Sequence, residues 1–180
     1  DDICFPNRFE QQLLCFRKEA GLSVVGGNIL EFVADIDNTV GIRKVPEEDS
    51  DIKQYLKKRC PFNQMTVMFK KDAVLEAGGY IDWYCNEDYY LWLRMMQKGF
   101  KFRNINEILC YVRVSRDMYQ RRGGWQYFRS ETRLQKYMLQ NKIIGTQRYL
   151  INVIIRFIVQ IAMPNNLRGV VFQKFARNKE

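Results

Sequence analysis

The segment Asn86-Glu87-Asp88-Tyr89-Tyr90-Leu91-Trp92-Leu93-Arg94 is the most informative part of the sequence, because it places two adjacent carboxylates at the start of an apolar helix. Apolar positions 91, 92, 95 and 96 recur at helical spacing, and Asp88 lies on the same face one turn earlier. The positive end of a helix favours an ionised carboxylate, whereas burial opposes it. Asp88 is therefore either a helix cap or a proton acceptor in a cleft, and residue preferences alone favour the cap.

The composition indicates a folded domain and excludes several kinds of site. The chain has 180 residues, of which 47% are hydrophobic, enough for one large domain or a domain with an appendage. Its five cysteines are widely spaced and form no C-x-x-C pair, which argues against a disulfide framework or a zinc site and for a reducing compartment. The chain has no histidine, so proton transfer would fall to carboxylates, Lys, Tyr or Cys.

Charge is distributed unevenly along the chain. Residues 1–112 carry 15 Lys or Arg against 17 Asp or Glu, whereas residues 113–180 carry 14 against 3. The basic last third predicts an acidic partner, which could be a diphosphate, an anionic lipid or a nucleic acid.

Local patterns predict an α/β core followed by a helical tail. We expect helices over 6–19, 47–58 and 87–98, a short helix capped by Asp72 that ends at Gly78-Gly79, and only helices after Gly124. We expect strands within 22–33 and over 41–45, 65–69 (buried), 100–104 and 107–114. Strands that alternate with helices are typical of an α/β fold.

Seven short segments, taken in order, resemble the second half of a family 2 glycosyltransferase with the nucleotide-diphospho-sugar transferase (GT-A) fold. The similarity is greatest to bacterial enzymes that build surface polysaccharide and lipopolysaccharide. The segments are Asp1-Asp2-Ile3 with Pro6–Glu10, Val24–Gly27, Cys60–Asn63, Met65–Met68, Ala77–Tyr80, Glu87–Trp92 and Arg121–Gly124. The resemblance implies an incomplete GT-A fold with a mixed sheet, in which residues 1–120 are the acceptor-side half and 121–180 a basic helical extension.

The resemblance also implies the chemistry and its principal residues. Asp88 corresponds to the family's general base, which deprotonates the acceptor hydroxyl for an inverting attack, while Glu87 would hold the acceptor or order the loop. Asp1 and Asp2 correspond to the end of the family's metal-binding aspartate motif, which implies a divalent cofactor, Mg²⁺ or Mn²⁺. The chain thus looks like the middle of a longer protein whose nucleotide-binding half lies upstream, and its unpaired sheet edge predicts a homo-oligomer.

Two further groups of residues are expected to bind substrate. In the resemblance, the loop with Gly78 and Gly79 faces the donor sugar and acceptor, and Trp83 and Tyr84 are candidates to stack on a sugar ring. Arg121 and Arg122 are candidates to clamp diphosphate oxygens. Each has a plainer alternative, namely a simple turn, aromatic packing and a solvated basic turn. Gln64 replaces a histidine common in related enzymes, which argues against a direct metal role there.

The tail has two interpretations. Residues 149–163 are too short and too charged to cross a bilayer, so they predict either an amphipathic helix on an anionic leaflet or a helix that covers the core. We expect a cytoplasmic protein, peripheral on the inner face of the cytoplasmic membrane.

The predicted function is sugar transfer from a nucleotide-diphosphate donor to a glycan or lipid-linked acceptor. The alternatives are a basic module that binds membrane or nucleic acid, and a catalytically inactive family member. Because the chain lacks a nucleic-acid motif and its basic residues lie among aliphatic ones, we expect no nucleic-acid partner. The sequence does not specify the sugar, the nucleotide, the acceptor or the linkage.

Overall fold

A mixed five-stranded sheet forms the centre of the computed structural model, which describes residues 2–115 and 122–164. The strands are β1 (Ile3–Cys4), β2 (Leu22–Phe32), β3 (Thr39–Arg43), β4 (Met68–Phe69) and β5 (Lys101–Arg113). Their order is β1-β5-β2-β3, and β4 pairs with β2. Strands β2 and β5 run parallel and the other pairs antiparallel, which confirms the predicted α/β class with a mixed sheet.

Helices connect and cover the strands. They are α1 (Arg8–Lys18), α2 (Asp49–Leu56), α3 (Lys71–Glu76), α4 (Glu87–Gln97), α5 (Gly124–Gln140) and α6 (Thr146–Phe157), the last continuing as a π-helical turn over Ile158–Ala162. In the described part of the chain after residue 123 all regular structure is helical, as predicted.

Strand β2 is buried along all of its 11 residues, because it lies between β5 and β3 and is covered by helices. Two adjacent glycines allow neighbours to approach it closely. A Cβ on Gly26 would lie 2.9 Å from a ring carbon of Phe62, and a Cβ on Gly27 would lie 2.5 Å from Leu109. The Val24-Val25-Gly26-Gly27 segment therefore packs where no larger side chain fits.

Strand β5 is one 13-residue strand, whereas two strands were predicted on either side of residues 105–106. Its register against β2 jumps from Ile105, opposite Gly27, to Ile108, opposite Asn28. The two extra residues form a bulge, and the Asn28 amide donates to Asn106 Oδ1 at 3.3 Å. The predicted gap is thus a bulge within a continuous strand.

Two local predictions are wrong. Residues 65–69 do not form one buried strand, because Thr66 N–H donates to Asn63 O at 2.8 Å and closes a 3₁₀ turn over Gln64–Thr66, leaving only β4 extended. Phe69 is 38% exposed. Asp72 does not cap α3, since Lys70 occupies the N-cap position and Asp72 lies inside the first turn.

The main core lies between one face of the sheet and helices α2, α4 and α5. It contains Leu56 from α2, Leu91, Trp92 and Met95 from α4, Phe102 from β5, and Leu134 and Met138 from α5. Helix α5 belongs to the basic last third of the sequence, so this part contributes directly to the core. The predicted domain boundary between residues 120 and 121 lies outside the described residues.

Helix α1 directs apolar side chains outward. Phe9 is 59% exposed and Leu13 47%, whereas Arg8 and Gln12 are buried. The Gln12 amide donates to Val25 O at 2.8 Å and to Thr66 O at 2.7 Å, which fixes α1 on the sheet through polar contacts. Within residues 2–115 and 122–164, no helix combines the length and apolar character needed to span a membrane.

Candidate active site

Asp88 is the second residue of α4 and is not its N-cap. Asn86 holds the N-cap position, with no side-chain capping bond. Asp88 Oδ1 accepts the Tyr89 backbone N–H at 2.6 Å, so one carboxylate oxygen satisfies a free donor of the first turn. The other oxygen, Oδ2, lies 3.8 Å from the Cys60 thiol sulfur. Asp88 thus has one oxygen held by the helix and one directed to a different neighbour.

Opposing effects set the proton affinity of Asp88. Burial raises its pKa most, and the neighbouring Glu87 carboxylate raises it further. The Tyr89 N–H bond and the guanidinium groups of Arg43 and Arg122 lower the pKa, and the net effect is a pKa above the ordinary value of an aspartate. A carboxylate whose pKa is raised binds a proton more strongly than a fully solvated one, which suits a proton acceptor.

The Cys60 side chain adjoins the Asp88 carboxylate and remains a neutral thiol. Burial raises the pKa of Cys60 above its usual range, and the negative charge of Asp88 raises it further. The thiol therefore stays protonated at neutral pH and can act only as a weak donor. Arg43 donates to Cys60 O at 2.9 Å, which fixes the backbone beside Asp88.

The Gly78-Gly79 turn is tied to α4 by Arg94. Both glycines have positive φ, +87° and +64°, which a residue with a side chain would adopt only under strain. The Arg94 guanidinium donates to Ala77 O and, at 2.6 Å, to Gly79 O, and it stacks over the Tyr90 ring at 4.5 Å. The glycine turn and the carboxylate pair are therefore held by the same helix.

A shallow pocket of about 370 Å³ lies next to Glu87, the first residue of the carboxylate pair. Residues 80–85 and Glu87 line it. On this loop, Tyr80 OH accepts from Gln64 Nε2 at 2.7 Å. Burial raises the Tyr80 pKa, and the charges of Asp88 and Glu87 contribute, which places Tyr80 in the electrostatic environment of the carboxylates.

Trp83 and Tyr84 differ in environment. Trp83 is 6% exposed, and its ring contacts Tyr90 at 4.4 Å and the Arg133 guanidinium at 4.2 Å. Its indole N–H donates to Ser130 O at 3.2 Å. Tyr84 is 41% exposed at the pocket. Trp83 is therefore mostly buried but still lines the pocket, and Tyr84 is the more accessible of the two; sugar stacking by either ring stays a prediction.

Ser130 of α5 joins the pocket loop to the basic part of the chain. Its hydroxyl donates to Tyr84 O at 2.6 Å and accepts from the Asn86 amide at 3.1 Å. The residue just before the cap, Cys85, has a φ of +54°, an uncommon conformation for a non-glycine residue. Helix α5 therefore supports the loop that leads into α4.

The predicted anion and metal ligands are only partly described. Arg122 is close enough to lower the pKa of Asp88, whereas Arg121 lies outside the described residues. Asp1 also lies outside them, and Asp2 is exposed, with Oδ1 accepting the Arg113 N–H at 3.2 Å. Over 2–115 and 122–164 there is no group of three His, Cys, Asp or Glu side chains that could hold a metal ion. Metal binding by Asp1 and Asp2 stays a prediction.

Several residues of this site were not predicted from the sequence. They are Arg43, Cys60, Tyr80, Arg94 and Ser130, which come from separate elements. Arg94 and Tyr80 carried usable signals, because Arg94 lies on the predicted helix of Asp88 and Tyr80 directly follows Gly78-Gly79. Arg43, Cys60 and Ser130 become neighbours only through tertiary packing.

Comparison with known proteins identifies relatives of almost the whole chain. It is 37% identical over 177 residues to an uncharacterized glycosyltransferase of Haemophilus influenzae, covering 98% of this chain and 65% of that protein. It is 34% identical over 174 residues to the amylovoran biosynthesis glycosyltransferase AmsE of Erwinia amylovora, covering 97% and 64%.

A third relative has a name that specifies a reaction. The chain is 36% identical over 177 residues to an Escherichia coli UDP-Gal:alpha-D-GlcNAc-diphosphoundecaprenol beta-1,3-galactosyltransferase, covering 98% of this chain and 64% of that protein. No protein-family model matches the chain. The chain spans slightly less than two thirds of the length of these relatives. At this identity over nearly all of its residues, the chain belongs to a family of bacterial glycosyltransferases.

Proposed function

We propose that the chain is the acceptor-side part of an inverting family 2 glycosyltransferase in surface polysaccharide or lipopolysaccharide biosynthesis. The donor is a nucleotide-diphosphate sugar and the acceptor is a glycan or lipid-linked sugar. The names of the relatives support this, since one specifies UDP-Gal and a diphosphoundecaprenol-linked acceptor and another, AmsE, is named for amylovoran biosynthesis.

The observation that carries the proposal is the position of Asp88. One carboxylate oxygen is fixed by the Tyr89 N–H, and the side chain is half-buried. The preceding residue, Glu87, lines a pocket that also has an accessible tyrosine, Tyr84. A base of this kind must be rigid, able to hold a proton, and close to a space that admits the acceptor. Asp88 is held by the helix and has a raised pKa, and its neighbour Glu87 reaches the pocket.

The proposed reaction needs one base. The acceptor hydroxyl gives its proton to Asp88, and its oxygen forms a bond to the anomeric carbon of the donor. The bond from that carbon to the nucleoside diphosphate breaks, and the leaving diphosphate takes the electron pair. Attack from the opposite face inverts the anomeric carbon, and no covalent enzyme intermediate is needed.

Other residues would bind and orient the substrates. Glu87 and Tyr84 line the pocket and would contact the acceptor. Arg122, with Arg121, would face the diphosphate, whose negative charge a guanidinium matches well. Asp1 and Asp2 would hold a divalent Mg²⁺ or Mn²⁺, which neutralises diphosphate charge when bound.

The stereochemistry of the product tests this proposal. The full-length protein would be incubated with UDP-Gal and other nucleotide sugars and a lipid-linked GlcNAc-diphosphate acceptor. We expect a product whose new linkage, read by NMR, has the anomeric configuration opposite to that of the donor. Retained configuration would contradict the single-base scheme. Absence of transfer from a panel of donors, despite donor binding, would favour an inactive family member.

A further inference from the structure

Helix α6 is amphipathic and turns a mainly polar side, together with Tyr149, towards the protein. Asn152 is its buried residue, 4% exposed. The Asn152 amide donates to Lys57 O at 2.9 Å and to Gln135 Oε1 at 2.8 Å. A helix on the surface of a soluble domain usually buries an apolar stripe instead.

Arg156, one turn after Asn152, strengthens this polar attachment. Its guanidinium forms an ion pair with Glu131 of α5, with side chains that are only 12% and 9% exposed, and donates to Lys58 O at 2.9 Å. The inner side of α6 is therefore fixed to α5 and to the end of α2 by hydrogen bonds and a shielded ion pair.

The outer side of α6 is apolar and exposed. The largest contributions are Ile154 at 57%, Leu150 and Ile155 at 53%, and Ile158 at 50%. Trp125 of α5 is 58% exposed and lies 6.3 Å from Phe157, which extends this surface onto α5. A contiguous apolar surface of this kind marks a site of interaction.

The charges around this surface identify its partner. Residues 122–164 contain seven Lys or Arg and one acid, Glu131, which Arg156 neutralises, while Arg122 and Arg133 lie near Asp88 and Trp83. Lys142 is exposed in the turn before α6, Arg148 is exposed in the first turn of α6, and Arg129 is exposed on α5, one turn after Trp125. An apolar helix face with basic residues around it and an exposed Trp fits an anionic lipid leaflet.

We propose that the outer face of α6, with Trp125, inserts into the interface of an anionic membrane leaflet. The contacts of Asn152 and Arg156 keep the helix on the protein, so it lies along the membrane surface. This inference goes beyond the proposed function and does not depend on Asp88, because lipid binding can be measured without turnover.

Sedimentation of the full-length protein with vesicles tests the proposal. One set of vesicles contains phosphatidylcholine only, and the other contains phosphatidylcholine with about one third phosphatidylglycerol. We expect binding to the anionic vesicles that weakens as salt is raised. Ile154→Glu should weaken that binding about tenfold or more, because the new charge lies in the inserted face.

Leu75→Glu is the matched control. Leu75 is 59% exposed on α3, and the substitution makes the same change of charge and polarity away from α6. We expect its lipid binding to fall much less than that of Ile154→Glu. The uncharged Ile158→Gln should also weaken binding, and a wild-type circular dichroism spectrum for each variant would show that the fold is retained.

Equal loss of binding in Ile154→Glu and Leu75→Glu would overturn the proposal, since the effect would then be one of charge alone. Wild-type protein that stays in the supernatant with anionic vesicles would also overturn it. If the wild-type protein bound no vesicles and formed an oligomer that Ile154→Glu dissociates, the outer face of α6 would be a contact between copies, and the membrane proposal would be wrong.

Discussion

Arg94 should be the residue that couples the Gly78-Gly79 turn to the helix of Asp88, and Arg94→Met tests this. The substitution keeps a long apolar side chain and removes donors to two carbonyl oxygens, Ala77 O and Gly79 O. Hydrogen bonds to a charged group contribute about 1.5–3 kcal/mol each when shielded. The stacking over Tyr90 adds about 0.5–1 kcal/mol.

The expected cost is smaller than the sum of these contacts, because Arg94 is only partly buried and water can reach the turn. We expect Arg94→Met to lower the free energy of unfolding by about 2–4 kcal/mol. Arg94→Lys should lower the free energy of unfolding by about half as much. An ammonium group is a point donor and does not match two carbonyls as a guanidinium fork does.

Urea unfolding and hydrogen exchange measure the two parts of this prediction. Arg133→Met is the control, because Arg133 stacks on Trp83 in the same way and should cost only about 0.5–1 kcal/mol. Amides of residues 78–85 should exchange faster in Arg94→Met than in wild type or Arg133→Met. If the two Met variants were equally stable and amide exchange in this loop were unchanged, Arg94 would not couple the Gly78-Gly79 turn to α4.

Two further predictions concern the site itself. Because burial raises the folded-state pKa of Asp88 above its unfolded value, the stability this group provides is complete below about pH 4 and is lost as the pH rises through the folded pKa. Asp88→Asn should therefore unfold at higher urea than wild type at pH 7 but not at pH 3.5, and a wild-type advantage at pH 7 would contradict the sign of the shift. Trp83→Ala should lower the free energy of unfolding by about 3–5 kcal/mol, because the ring is buried. Tyr84→Ala should change the free energy of unfolding by no more than about 0.5 kcal/mol and should raise the KM for the acceptor. The reverse pattern would assign the sugar contact to Trp83.

The parts of the fold that could be predicted are those encoded by local pattern. The helical spacing of residues 87–98 predicted α4, and the β-rich residues within 22–33 predicted β2, because both signals come from residues that are neighbours in the sequence. The prediction of one strand over residues 65–69 was wrong. Their apolar character suits a strand, but the Asn63–Thr66 hydrogen bond closes a turn that hydrophobic periodicity does not report.

Asp88 could be predicted from the sequence, but the residues around it in the structure could not. Adjacent carboxylates at a helix start indicated Asp88, and the resemblance gave it a role. Its neighbours Cys60, Arg43 and Arg122 come from three separate segments. Trp83 shows the same limit, because its burial depends on Ser130 and Arg133 of α5, which lie far along the chain.

The sequence predicts that α6 has an apolar face, but it does not predict that this face points away from the protein. The sequence of residues 149–163 suits both an interfacial helix and a helix that covers the core. The contacts of Asn152 and Arg156 and the packing of Tyr149 against the core show which side faces the protein.

The turnover of Asp88→Asn in the full-length protein is the measurement that tests whether Asp88 is the general base. Asn keeps the size of the side chain and an oxygen to accept the Tyr89 N–H, but it cannot take a proton. We expect single-turnover transfer to fall about 10²–10⁴-fold, the usual contribution of general base catalysis, with nearly unchanged donor affinity. Glu87→Gln, the neighbouring control, should lose less. If Asp88→Asn retained near wild-type transfer, Asp88 would serve only the helix terminus and the proposed base would be wrong.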